Sequence, residues 1–169
     1  INVHVPLKLM DLAKKLKKIQ SFIHVSNIVS LYGIGEAEEK IYPYGFDAKT
    51  HLAETYFMYK HQKALLVAFQ GYPDKYVYTK RIAEILLDKE RGDIPLTIIR
   101  SGFIGPCLLD PFPGWIGTTR GMATVYALIG LGEIDLILAN RAAVYLEVPM
   151  DSLCDLIIVS APLNSQEKD

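Results

Sequence analysis

The chain has 169 residues, half of them apolar, with a formal net charge of −1 at pH 7, which fits a single domain with ample material for a core. A charge so near zero excludes a general attraction to nucleic acid or to an anionic membrane surface. Cys107 and Cys154 lie far apart with no C-x-x-C, and His4, His24, His51 and His61 form no ligand pattern, which argues against a metal site or a disulfide framework and fits a reducing, intracellular compartment.

The elements follow in chain order. Ile1 opens inside what reads as a helix, with no signal peptide ahead of it, so the sequence is expected to be a piece of a longer chain. Val3, Leu7, Leu9, Met10, Leu12, Ala13, Leu16 and Ile19 recur at roughly helical period. Lys14, Lys15, Lys17 and Lys18 would occupy the last turns, where cations suit the helix dipole. Ser21 to Ser26 reads as a short strand buried on both faces, as in a parallel sheet. Helix followed closely by buried strand is half of a βαβ unit. The stretch from Ser26 to Gly35 would lie beyond that strand's carboxyl end, where open parallel sheets bind ligands. Gly33-Ile34-Gly35 lacks the third glycine of a phosphate cradle and reads as a loop.

Asp47 or Thr50 would cap a helix over about Leu52 to Phe69, ended by Gly71-Tyr72-Pro73. Asp74 would cap the next helix, Lys75 to about Lys89, with Ile82, Ala83, Ile85, Leu86 and Leu87 on its buried side. Arg91-Gly92-Asp93 is a turn, and Ile94 to Arg100 is the second clear strand. Ser101 to Pro106 reads as a glycine-rich loop fit for close approach to a flat ligand. Pro111 to Gly117 is either a wall of an apolar pocket or a surface loop anchored by Trp115. Thr124 to Leu138 would hold a helix broken at Gly130 and Gly132. The apolar run from Ala123 to Val148 is interrupted by Glu133, Asp135, Asn140 and Arg141 and is a poor membrane span. Tyr145 to Val148 reads as a strand, Asp151 as a cap, and Leu153 to Val159 as a helix. The domain would occupy residues 1–163, and Asn164 to Asp169 would be a polar tail.

Three tyrosines stand four residues before a lysine: Tyr56–Lys60, Tyr59–Lys63 and Tyr76–Lys80. That spacing places both side chains on one helical face. A nearby ammonium favours the phenolate, and a phenol so tuned can exchange a proton with a carbonyl oxygen near neutral pH. Only the helix with Tyr76 and Lys80 runs through a short turn into a buried strand, which forces it to pack on the sheet. Tyr76 and Lys80 are therefore the favoured pair.

Several segments together resemble the extended short-chain dehydrogenase/reductases, and within them the male-sterility-type NAD-binding domain of fatty acyl-CoA reductases. The segments are Asn2-Val3 with Leu9 to Ala13, Phe22-Ile23-His24-Val25-Ser26, and Tyr76 to Lys80 with Ala83-Glu84. Pro95 to Arg100, Pro113-Gly114-Trp115-Ile116 and Val148-Pro149-Met150-Asp151 complete the set. The resemblance implies an α/β fold, a Rossmann-like doubly wound parallel sheet, incomplete because its N-terminal nucleotide-binding half is missing. It also implies NADPH-dependent reduction of a long-chain acyl-CoA to the fatty alcohol by way of the aldehyde. Tyr76 would donate the proton, and Lys80 would lower its pKa and hold the nicotinamide ribose. Arg100, Ser101, Gly102, Phe103 and Ile104 would lie along the nicotinamide, and Asn2 would support the geometry near Lys80. Relatives of this kind often associate with peroxisomal or endoplasmic-reticulum membranes.

The sequence departs from the family pattern at three places. Asn27 stands where a catalytic Thr or Ser follows His-Val-Ser, leaving Ser26 beside it as the nearest hydroxyl. Ser101 stands where Pro usually follows Arg, and the Gly-x-x-Gly-x-x-Gly phosphate loop is absent. Ser26 and Asn27 are the remaining catalytic candidates. An epimerase, a dehydratase, a carboxylic-acid-reductase-like enzyme and a non-catalytic relative stay open as alternatives. The 169-residue piece alone is expected neither to bind NADPH tightly nor to turn over.

Overall fold

The computed structural model describes residues 1–43, 47–60 and 71–163. These fall into two compact units, Ile1–Arg100 together with residues from Ser160 onward, and Ser101–Val159. The architecture is mixed α/β with short parallel strand pairs, as expected of an incomplete Rossmann-like domain.

The first unit holds α1 (His4–Ala13), β1 (Phe22–Asn27), a 3-10 turn (Ile28–Leu31), α2 (Ala48–Lys60), α3 (Lys75–Glu90) and β2 (Leu96–Ser101). β1 and β2 pair as a two-stranded sheet, and the Phe22 N–H donates to the Pro95 carbonyl at 2.8 Å where both strands begin. Because α3 leads directly into β2, it has to pack back on the sheet, and its sequence supplies the means. Tyr78, Ile82, Ala83 and Leu86 bury against Val3 and Ala48. Leu87 joins Met10, Ala13 and Ile94 in a second cluster, with Phe22 and Leu96 beside it. α3 is thus the core of this unit, packed against α1, α2 and the strands. Its start is set by Asp74, whose side chain accepts from the Val77 N–H at 2.9 Å, satisfying a donor that the first helical turn leaves open.

Three expectations for this unit need correction. α1 ends at Ala13, so Lys15, Lys17 and Lys18 lie beyond the helix and none of the lysines occupies its last turn. Leu12 and Leu16 face water there, so the apolar period continues in the sequence after its packing partners have run out. Second, α2 begins at Ala48, before Leu52, because Asp47 accepts from the Thr50 N–H at 3.0 Å; the expected extension to Phe69 lies outside the described residues. Third, β1 is not buried on both faces: His24 and Ser26 are buried, while the residues between and beside them are half-buried, as a sheet of two strands allows.

The second unit contains β3 (Phe103–Gly105), α4 (Met122–Gly130), β4 (Glu147–Pro149) and most of α5 (Met150–Leu163). β3 and β4 pair in parallel, Phe103 against Glu147 and Ile104 against Val148. α4 stops at Gly130, and Gly132 follows in the left-handed region at φ 74°, so the helix does not reach Leu138. Asp151 does not cap a helix starting at Leu153; it sits in the first turn of α5. Its carboxylate accepts from the N–H groups of Leu108, Leu109 and Asp110. These bonds hold its acidity at about 2 and fasten the loop after β3. The Trp115 carbonyl accepts from the Cys107 N–H at 2.8 Å, so the Pro111–Gly117 loop is anchored through its backbone. The expected tail from Asn164 lies outside the described residues.

Candidate active site

Tyr76, Lys80 and Glu84 follow one another at four-residue steps along α3 and so form one stripe on the helix. Tyr76, in the first turn, is 44% exposed. The Lys80 ammonium stands over the Tyr76 ring, 5.7 Å from its centre, and donates to the Val25 carbonyl at 3.1 Å. One lysine therefore connects the phenol of α3 to β1 at the residue before Ser26–Asn27. The rival tyrosine Tyr56 is exposed and meets the His4 ring edge-on at 6.4 Å. Lys63 and the side chains of Tyr59 and Lys60 lie outside the described residues.

The electrostatics differ from the expectation for this pair. Burial pushes the Tyr76 phenol above its ordinary value, and Asp74 adds to the effect. Burial pulls the Lys80 ammonium down, while Glu84 opposes that change. Burial dominates for the phenol, and the Lys80 ammonium beside it is engaged by the Val25 carbonyl. At neutral pH Tyr76 therefore keeps its proton, the form a donor requires.

Ser26 points inward. It is buried, and its hydroxyl donates to Glu84 Oε1. His24, two residues earlier, is buried on the same face. Asn27 ends β1, and its Oδ1 accepts from the Val29 N–H at 3.0 Å, capping the 3-10 turn. Asn2 does not reach Lys80. Its amide donates to Thr79 Oγ1 at 3.1 Å, and Thr79 donates to the Tyr76 carbonyl, so Asn2 braces the first turn of α3.

The residues expected along the nicotinamide are engaged within the protein. Arg100 donates through Nε and Nη2 to Glu84 Oε2 at 3.0 and 2.9 Å, and through Nη2 to the Lys40 carbonyl at 2.9 Å. Ser101 is the buried last residue of β2. The reading of Ser101 to Pro106 as a loop is corrected: Phe103, Ile104 and Gly105 form β3. A Cβ on Gly102 would collide with the Leu146 carbonyl, and one on Gly105 with the Glu147 side chain. Gly102 thus leaves room for the Leu146 backbone. Phe103 stacks on Tyr145 at 5.3 Å, and Ile104 is half-exposed.

Glu84 and His24 are functional candidates that sequence reasoning left without a role. The four-residue step from Lys80 to Glu84 and the two-residue step from His24 to Ser26 were their only local signals. Among the described residues, no group of His, Cys, Asp and Glu could hold a metal ion, and no helix is long and apolar enough to cross a membrane. For a nicotinamide dinucleotide the fit is partial. The half-exposed Tyr76, with the Lys80 ammonium over its ring, suits one, but no glycine loop that would hold a pyrophosphate accompanies it in the sequence.

Tyr76 and Lys80 thus stand one turn apart on α3, with Lys80 fastened to β1. The chain belongs to the NAD-binding family described as male sterility protein, whose sequence pattern matches residues 1–157. Among curated relatives it is 28% identical over 165 residues to fatty acyl-CoA reductase 1 of Xenopus laevis, covering 95% of this chain and 32% of the relative. It is 26% identical over 160 residues to fatty acyl-CoA reductase 2 of Mus musculus, covering 94% and 31%. It is 27% identical over 197 residues to the alcohol-forming fatty acyl-CoA reductase of Simmondsia chinensis, covering 99% and 39%. The chain thus spans about a third of the length of the curated relatives it matches.

Proposed function

We propose that the protein containing these residues reduces long-chain fatty acyl-CoA to the fatty alcohol, by way of the aldehyde, at the expense of NADPH. The names of the relatives supply the substrate class. The observation that carries the chemistry is the Tyr76–Lys80 pair, with its tyrosine half-exposed and its ammonium anchored on the Val25 carbonyl. NADPH, when bound, supplies the hydride. Tyr76 holds a proton through the neutral range and delivers it to the oxygen that gains charge as the thioester carbon is reduced. Lys80 stabilises the phenolate left behind and, with Tyr76, would hold the cofactor's ribose. Asn27, at the end of β1, offers an amide donor in place of a hydroxyl; such a group can stabilise a developing oxyanion but cannot relay a proton. Ser26 contributes no proton of its own, because Glu84 takes it.

That last feature, together with Asn27 serving as a cap, also favours a second reading, a relative that keeps the fold without the reaction. Acyl-CoA-dependent NADPH oxidation by the parent protein separates the two, since the second reading expects none, and Tyr76→Phe then tests the pair. NADPH oxidation with long-chain acyl-CoA should fall by about 10²- to 10⁴-fold, the usual contribution of a positioned acid, with the circular dichroism spectrum unchanged. A wild-type rate in the variant would remove Tyr76 from the mechanism. Dependence of the rate on acyl length would exclude a sugar epimerase or dehydratase.

A further inference from the structure

We infer that Glu84 is a positioning residue for the Tyr76–Lys80 pair, acting through a buried chain of hydrogen bonds that runs from Ser26 through Glu84 to Arg100. The inference rests on the reading above for its kinetic consequence, but its physical basis is independent of it.

Glu84 is 2% exposed. A carboxylate so buried has to be fully paired or it destabilises the fold by several kcal/mol. Its two oxygens are divided between two strands. Oε1 accepts from Ser26 at the carboxyl end of β1, and Oε2 accepts both Nε and Nη2 of Arg100 on β2. Arg100 Nη2 continues to the Lys40 carbonyl, in the connection between the 3-10 turn and α2. One side chain of α3 thus fastens the helix to both strands and, through Arg100, to the loop beyond β1.

Two consequences follow from the donor count. A serine hydroxyl has one proton, and Ser26 gives it to Glu84, so Ser26 faces the site as an acceptor only. It belongs to the scaffold of the pair, not to the reacting groups. Lys80 lies one turn before Glu84, and its Val25 partner is the residue before Ser26. The contact that holds Lys80 and the contact that holds Glu84 are therefore adjacent, and the second sets the register of α3 against β1 in which the first can form. The titratable groups around Lys80 are Glu84 and the Tyr76 phenol on its own helix and His24 on β1, with the Arg100 cation of β2 behind Glu84. Glu84 is the only carboxylate among them, and it favours the charged form of Lys80.

The test is Glu84→Gln in the active protein, read in two ways. In the first, lysines are reductively methylated with a ¹³C label and titrated by NMR, the Lys80 resonance being identified by its loss in Lys80→Met. Lys80 should titrate at lower pH in Glu84→Gln than in the parent. In the second, kcat should fall by up to about a hundredfold, the scale of an ångström-sized misplacement, with the KM for acyl-CoA unchanged and the pH profile moved in the same direction as the Lys80 resonance. Glutamine leaves the Arg100 cation unpaired. If that variant does not fold, Glu84→Gln with Arg100→Met removes both charges, and the same two readings apply. An unmoved Lys80 titration overturns the inference, as does a variant that loses thermal stability while keeping the parent kcat and pH profile. If Tyr76→Phe retains the wild-type rate, the catalytic reading fails by itself, and the NMR titration still decides whether Glu84 controls Lys80.

Discussion

His24 shows how the site's burial is coupled to pH. It lies beside Lys80 and Glu84 with its Nε2 buried and unpartnered. Burial lowers its pKa from 6.5 to about 4, the Lys80 charge adds to that, and Glu84 opposes it. The unfolded chain then binds a proton near pH 6.5 that the folded chain accepts only near pH 4. The stability associated with neutral His24 is complete above pH 6.5 and is lost as pH falls toward 4, amounting to about 3 kcal/mol if the whole shift is realised. The melting temperature of the parent should fall across this window, and His24→Leu should flatten that part of the curve; parallel curves would show that His24 does not couple to folding. The imidazole was legible in the sequence only as a strand residue. Its burial, the larger cause of its perturbation, comes with α3 packing on β1, and the smaller cause is Lys80, 56 positions away. Tyr76 and Lys80 were legible because four residues on a helix is a local geometry. The Glu84–Arg100 pair joins a helix to the following strand, and no local period reports it.

At the scale of elements, α3 organises the first unit. Ile82 is fully buried between Val3, Tyr78 and Leu86, and Ile82→Ala should cost about 2–5 kcal/mol in a denaturant titration, the range for deleting a buried aliphatic side chain. A loss under about 1 kcal/mol would mean that the site collapses around the cavity or that α3 is not the core. The start of α3 was readable to the residue, because Asp74 supplies a cap of known chemistry. The end of α1 was not, because a helix stops where its packing partners stop, and those are chosen by tertiary contacts. β3 was misread for a related reason. Two glycines within four residues suggest an open loop, yet Gly105 pairs in β3 against β4 and the Leu146 backbone comes close to Gly102. Glycine reports that something comes close, and only the structure says what.

The whole molecule raises the question of what its surfaces are for. Val5, Leu9, Leu12 and Leu16 make an exposed apolar stripe on α1 and the turn after it. In the second unit Leu131, Leu136, Leu138 and Val144 are open to water, Leu138 at 93%. Each described sheet has two strands, and a strand pair alone gains little stability without further strands or a helix on its face. The sequence has no Gly-x-x-Gly-x-x-Gly loop to hold a pyrophosphate. The Tyr76–Lys80 pair offers a cofactor one phenol and one ammonium. Two such contacts, each worth about 1–3 kcal/mol, fall short of the roughly 8 kcal/mol that micromolar affinity requires. The 169-residue chain on its own should therefore bind NADPH weakly, with little enhancement or blue shift of nicotinamide fluorescence at micromolar protein. A longer protein that includes a phosphate-binding loop should bind at micromolar concentration or below, and Lys80→Met in that protein should weaken binding about tenfold or more, since each 1.4 kcal/mol is a factor of ten. Micromolar binding by the 169 residues alone would place the phosphate contacts within the backbone described above and would reopen the loops of the second unit as the place to look for them.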